Sequence, residues 1–265
     1  MREGPPAASD RIVADRLEVT FAGKAGSVTA LADISLAIGA GSFVSLIGHS
    51  GCGKSTFLRV IADIVHPSGG AVSIFGLSPL EARRQGLIGF VFQQPTLLPW
   101  ASAIENVSLP LQVGLGRQRR SRVTPGEALA IVGLKGFEKS LPQELSGGMR
   151  QRVAIARALV TEPRIWLMDE PFGALDELVR DDLNVQLLDI WSERATTIVF
   201  VTHSIPEAAF LSQRIFVFSQ RPAVIQGTVD IVHTYPRALA LKDDGSLSEP
   251  IRSVRSLLDE GSRTR

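Results

Sequence analysis

Short apolar, β-rich runs alternate along this chain with stretches whose apolar residues recur at helical spacing. The runs are "SFVSLIG", "LIGFVF", "RIWLM", "TTIVFV" and "RIFVF". Between them, Phe57, Leu58, Ile61, Ile64 and Val65 share one helical stripe, and Leu183, Leu187, Ile190 and Trp191 share another, as the core-facing sides of two helices would. Strands alternating with helices predict an α/β fold with a mainly parallel sheet. From about Gln94 to Leu159 the pattern changes. Capping boxes at Ser102-x-x-Glu105 and Thr124-Pro125-x-Glu127 start helices, no strand is evident, and the segment reads as a helical insertion. The chain has no internal repeat, and the polar tail after about Pro236 is expected to be loosely held.

Composition narrows the class. A chain of 265 residues, 45% apolar and 21% charged, can bury a large core as one domain or two small ones. A formal charge of +1 gives no global field for nucleic acid or an anionic membrane, so partners are recognised locally. Cys52 is the only cysteine, which excludes an internal disulfide and a thiolate metal site and fits a reducing compartment, the cytoplasm by default. The opening "MREGPPAASD" reads as neither signal peptide nor anchor, and no run of about 18 apolar residues predicts a membrane span.

The chemistry starts at "LIGHSGCGKST". Gly48-x-x-x-x-Gly53-Lys54-Ser55 lies between an apolar strand and an apolar-striped helix, the context a phosphate-binding loop requires. Glycines let successive N–H groups converge on phosphate oxygens at a helix N-terminus. Lys54 supplies a point charge for the β- and γ-phosphates, and the Ser55 hydroxyl can ligate Mg²⁺. A second strand, "RIWLMDEP", ends in Asp169-Glu170, which reads either as a polar exit to a loop or as a metal-holding carboxylate followed by one that orients water. A third, "VFVTHS", ends in His203, either a γ-phosphate contact or a satisfied turn residue. "LSGGMRQR" puts Ser146, Gly147 and Gly148 at a helix start, a second anion site.

Taken in order, "GHSGCGKST", "VFQQ", "LSGGMRQR", "LMDEP", "GALD" and "VTHS" resemble the ATPase subunit of an ATP-binding cassette (ABC) transporter, over roughly Val13 to Arg221. The resemblance implies a P-loop, RecA-like α/β core, an antiparallel β region near the N-terminus and an inserted helical subdomain. It implies that Gly48, His49, Ser50, Gly51, Cys52, Gly53, Lys54, Ser55 and Thr56 hold ATP, with the side chains of His49 and Cys52 incidental, and that Ser55, Gln93 and Asp169 serve Mg²⁺. Glu170 would be the general base, His203 the switch histidine, and Gln93 would touch the metal and the attacking water. Phe21 would stack on adenine, unless it is a core residue of a first strand. Ser146, Gly147 and Gly148 would bind the ATP of the other subunit and Asp176 would reach across the interface, so two ATP molecules lie between two copies.

On this reading the chain divides into a tail (1–10), a nucleotide-binding core (11–93 and 156–232), a helical signature subdomain (94–155) and a C-terminal extension (233–265). The partners implied are a second ATPase subunit, a separate membrane permease and, indirectly, a solute-binding protein, with the ATPase peripheral on the cytoplasmic membrane face. "QQPTLLPWASAIENV" and "QRPAVI" are similar to importer ATPases of the nitrate, sulfonate, taurine and thiamine-precursor group. The alternative, an ABC ATPase of DNA repair or translation, lacks here the long coiled coil or second cassette of those members, so no nucleic acid is expected. Leu97, Leu98 and Trp100 form either an apolar docking patch for the permease or, for Trp100, part of the helical core. His66 and His233 read as surface residues, and "GRQRRSR" (116–122) as a solvated linker with lipid or permease contact as the alternative.

Overall fold

In the computed structural model the described residues are 10–23, 26–114, 123–173, 175–194 and 196–263. The expected tail, up to residue 9, and the basic run 116–122 lie outside them. The elements follow in the order β1 (Arg11–Gly23), β2 (Gly26–Gly39), β3 (Phe43–Ile47), α1 (Lys54–Ile61), β4 (Gly69–Ile74), α2 (Pro79–Arg84) and β5 (Ile88–Val91). Next come α3 (Ala103–Gln112), α4 (Pro125–Ile131), α5 (Gly147–Leu159), β6 (Ile165–Asp169), α6 (Glu177–Arg194), β7 (Thr197–Val201), α7 (Ile205–Leu211), β8 (Arg214–Phe218), β9 (Ile225–Asp230) and α8 (Ser248–Arg263).

Six strands form the main sheet in the order β5-β6-β7-β3-β8-β9, parallel except for the last, which returns antiparallel to β8. The five apolar runs of the sequence are its five parallel strands. All residues of β3, β6 and β7 are buried, because side chains alternate between two covered faces. Phe43 and Ile47, Trp166 and Met168, Ile198 and Phe200, and Ile215 and Val217 enter one core with helices α5 to α8. Val44 and Leu46, Ile165 and Leu167, Val199 and Val201, and Phe216 and Phe218 enter the other, with α1 and a small antiparallel sheet of order β2-β1-β4. A sheet gripped on both faces holds its strand ends rigidly, and Gln93, Asp169, Glu170 and His203 lie at or just beyond those ends.

The insertion is helical as expected. Ser102 and Thr124 cap α3 and α4, each with its reciprocal glutamate, Glu105 and Glu127. The tail departs from expectation. Instead of lying loose, it folds into α8, whose Val254 is buried and whose Ile251, Leu257 and Leu258 pack against the core. Ahead of α8, buried Arg237 donates to the carbonyls of Ala209, Phe210 and Ser212 at 3.1, 2.6 and 3.1 Å, satisfying the orphan acceptors at the end of α7. Tyr235 donates to the Leu211 carbonyl at 2.8 Å. The polar composition of the tail concealed an apolar stripe on one side of a helix.

Candidate nucleotide-hydrolysis site

The loop Gly48–Gly53 turns out of β3 and feeds straight into α1, and its curl depends on missing side chains. A Cβ on Gly53, where φ is 129°, would lie 2.7 Å from Leu31 Cδ2 and 2.9 Å from the Ala30 carbonyl oxygen; one on Gly48 would lie 2.8 Å from the Phe218 carbonyl oxygen. Lys54, only 4% exposed, turns back over the loop and donates to the Gly48 and His49 carbonyls at 2.7 and 3.0 Å. The next residue faces the neighbouring strand end: the Ser55 hydroxyl donates to Asp169 Oδ1 at 2.7 Å. Burial pushes the Asp169 carboxyl up from its ordinary value, against the Ser55 hydroxyl and Arg59, which pull it down. A hard divalent cation beside it would relieve that cost. The donors are oxygens and few, and among the described residues no group of three or more His, Cys, Asp and Glu gathers as a metal cage. That is a fit for Mg²⁺, which takes one or two protein oxygens and completes its shell with substrate phosphate and water.

Glu170, at φ 43°, is turned out of the strand direction while its N–H donates to the Val201 carbonyl at 3.0 Å. Its Oε2 accepts from Gln93 Nε2 at 3.3 Å and lies 3.4 Å from His203 Nδ1. Gln93 follows β5, Glu170 follows β6 and His203 follows β7, three adjacent strands. A cavity of about 900 Å³ opens at the opposite ends of the strands, among Gly41, Phe75, Arg164, Trp166 and Thr197, and holds none of these residues.

The other expected residues sit apart. Ser146 caps α5 by accepting from Met149 N–H at 3.2 Å, and a Cβ on Gly147 would meet nothing within 4 Å, so that surface is open. Asp176 caps α6 through Val179 N–H at 3.0 Å, beside Leu178, which is 80% exposed. Neither Ser146 nor Asp176 bonds the phosphate loop of its own chain. Phe21 is 44% exposed on β1, not a core residue. Trp100 is 75% exposed, which removes its core alternative, whereas Leu97 and Leu98 are half-buried and Leu97 packs on the core, so the expected apolar patch shrinks to Trp100. His66 and His233 are on the surface, His233 bonded to the Ser246 carbonyl.

Several supporting residues were not singled out in the sequence, although Asn106 and Arg221 lie within its importer-like stretches. Asn106, fully buried, accepts from Leu98 N–H at 2.7 Å and donates to the carbonyls of Leu98, Ala101 and Ser102, which fixes the loop bearing Trp100. Arg157 of α5 donates to the carbonyls of Pro95 and Thr96 at 2.8 and 2.9 Å, tying the helix that begins at Ser146 to the segment after Gln93. Arg221 donates to the Gly51 carbonyl at 2.5 Å.

The chain has clear relatives among known proteins. The ABC transporter family model matches residues 31–173. The chain is 40% identical over 241 residues to the aliphatic sulfonates import ATP-binding protein of Bacillus cereus, covering 91% of this chain and 93% of that one. It is 38% identical over 249 residues to the taurine import ATP-binding protein of Burkholderia pseudomallei, covering 93% and 91%. Against the nitrate import ATP-binding protein of a Synechocystis species it is 43% identical over 222 residues, covering 81% and 82%. A dimeric ATP-binding cassette solved after hydrolysis, with ADP and Pi bound, superposes with a TM-score of 0.74 at 34% identity, over 84% of this chain and all of that one. A sequence with this family match, relatives of this identity along most of its length and a phosphate loop set against Asp169 and Glu170 belongs to the ABC transporter family, among its ATP-binding, ATP-hydrolysing subunits.

Proposed function

We propose that this chain hydrolyses ATP for an importer of a small anionic or sulfur- or nitrogen-containing solute, as one of two copies that hold two ATP molecules between them on the cytoplasmic face of a separate membrane permease, fed by a solute-binding protein. The observation that carries the proposal is the approach of Gln93 and His203 to one carboxylate, Glu170, beside the Ser55–Asp169 pair.

The roles follow from position. Loop N–H groups and Lys54 hold the phosphates; Glu170 accepts the proton of the attacking water; Gln93 and His203 keep that carboxylate aimed, and His203 contacts the γ-phosphate. Ser55, Asp169 and Gln93 would hold Mg²⁺, which supplies charge neutralisation on the phosphate oxygens. The open surface at Ser146, Gly147 and Gly148, with exposed Asp176, suits an anion brought by a second copy. Phe21, exposed on β1, suits an adenine ring. Among the described residues no helix is long and apolar enough to cross a membrane.

The test is uptake. Removing this chain from its host is expected to abolish uptake of one of labelled sulfonate, taurine or nitrate; the wild-type chain should restore it and Glu170→Gln should not. Normal uptake of all three after removal would sink this reading of the solute. The permease contact is tested separately. Trp100 stands on a loop braced by Asn106 and continuous with Gln93, so a movement at the nucleotide can reach it. Trp100→Ala is expected to weaken association with detergent-solubilised permease by ~2 kcal/mol, about thirtyfold, with an unchanged melting temperature. Wild-type association by the variant would remove Trp100 from the interface.

A further inference from the structure

Glu207 stands on the first turn of α7, four residues after His203, and is 5% exposed. Its carboxylate accepts from Thr202 Oγ1 at 2.5 Å, and that same Oγ1 accepts from Ser204 N–H at 3.0 Å. The Glu207 N–H in turn donates to Ser204 Oγ at 3.4 Å. Both neighbours of His203 are thus tied to one residue. His203 needs such ties, because its own side chain is 55% exposed and has little packing to hold it against Glu170.

The arrangement is costly. Glu207 Oε1 is buried with no partner, as is Arg180 Nε, and both residues line a small recess with Glu170, Thr202 and His203. Burial pushes the Glu207 carboxyl up, against the Thr202 hydroxyl, Arg180 of α6, Lys242 of the following extension and His203. Lys242 is itself paired with Asp181 of α6 and lies over the Phe210 ring. An apolar side chain at position 207 would avoid the desolvation. A half-satisfied buried carboxyl beside a catalytic pair points to a task at that pair.

We propose that Glu207 is a positioning residue for ATP hydrolysis: by holding Thr202 and Ser204 it fixes the loop that aims His203 at Glu170. The inference rests on His203 acting in hydrolysis, as read above.

Turnover, ATP affinity and melting temperature of single and double variants test it. Glu207→Leu removes the acceptor but fills the volume, and Thr202→Val removes the hydroxyl. Each is expected to lower kcat about tenfold, the equivalent of one charge-assisted hydrogen bond, with ATP affinity and melting temperature near wild type. Glu207→Gln keeps an acceptor for Thr202 and should recover most of the loss. In a His203→Ala background, Glu207→Leu should lower kcat no further, since nothing remains to be aimed. Wild-type kcat in both Glu207→Leu and Thr202→Val, or an undiminished tenfold loss on top of His203→Ala, overturns the inference alone. Wild-type kcat in His203→Ala itself overturns the role of His203 and this inference with it.

Discussion

Glu170→Gln is expected to lower ATP turnover by ~10²–10⁴-fold, the usual contribution of a positioned general base, while leaving ATP binding intact. The argument is geometric. Glu170 is held by its own N–H on the Val201 carbonyl, and its Oε2 is approached by Gln93 at 3.3 Å and His203 at 3.4 Å, so the group is aimed before substrate arrives. An amide of the same shape would keep those positions but could not take a proton from water. It would also remove a negative charge next to the γ-phosphate, so the variant should collect as an ATP-bound dimer. Steady-state turnover and light scattering with and without ATP measure both effects. Turnover within a few fold of wild type would take the base role from Glu170, and a mass that does not double with ATP would remove the expected dimer.

How much of this site was legible depends on where each residue's partner lies. Lys54 could be picked out from the glycine pattern of the loop before it, and Asp169 and His203 because each closes or follows an apolar run: a polar residue at the end of a buried strand is displayed at the strand-end crevice where such folds bind ligands. Glu207 could not be picked out in that way: one glutamate on a helix usually marks a solvated face. The available signal was that "IPEAAFL" is otherwise apolar all round, which places its single charge inside. The bracing roles of Asn106 and Arg157 had no signal, although Asn106 lies in an importer-like stretch, because their partners are backbone groups, and a backbone group has no sequence identity.

The fold divided along similar lines. The parallel strands stood out as unbroken apolar runs, whereas β1 and β2 hid behind irregularities. Their pairing shifts register between Ala14 and Leu17 and again on either side of Val19, with Arg16 at φ 46°, so the period of two that marks a half-buried strand never lasts long enough to be read. The antiparallel region was therefore carried by the family resemblance and not by alternation. In the tail, composition outweighed spacing: Leu247, Ile251, Val254 and Leu258 recur at helical intervals within a polar stretch.

Lys54→Ala is expected to weaken ATP binding roughly ten- to a hundredfold, the equivalent of ~1.5–3 kcal/mol for a hydrogen bond to a charged group. An ammonium has three donors, and in this chain two are already engaged, by the Gly48 and His49 carbonyls. The third has only the Cys52 sulfur at 3.7 Å, a weak acceptor, so a phosphate oxygen can be gained without breaking either loop contact. Binding then adds a charge-assisted bond to a lysine whose rotamer is already fixed, and the entropy of ordering a long side chain is not charged against it. Alanine removes the phosphate contact and leaves the two loop carbonyls without their donor, so the loop loses its shape as well as its charge. Lys54→Met separates these two losses from loss of the stem, since it keeps an unbranched side chain of similar length but no donor. If the loss comes mainly from charge, the two variants should bind ATP equally weakly by titration calorimetry; if stem packing matters, methionine should bind more tightly than alanine. Wild-type affinity in both would mean that the Lys54 ammonium never reaches the phosphates and serves only the loop.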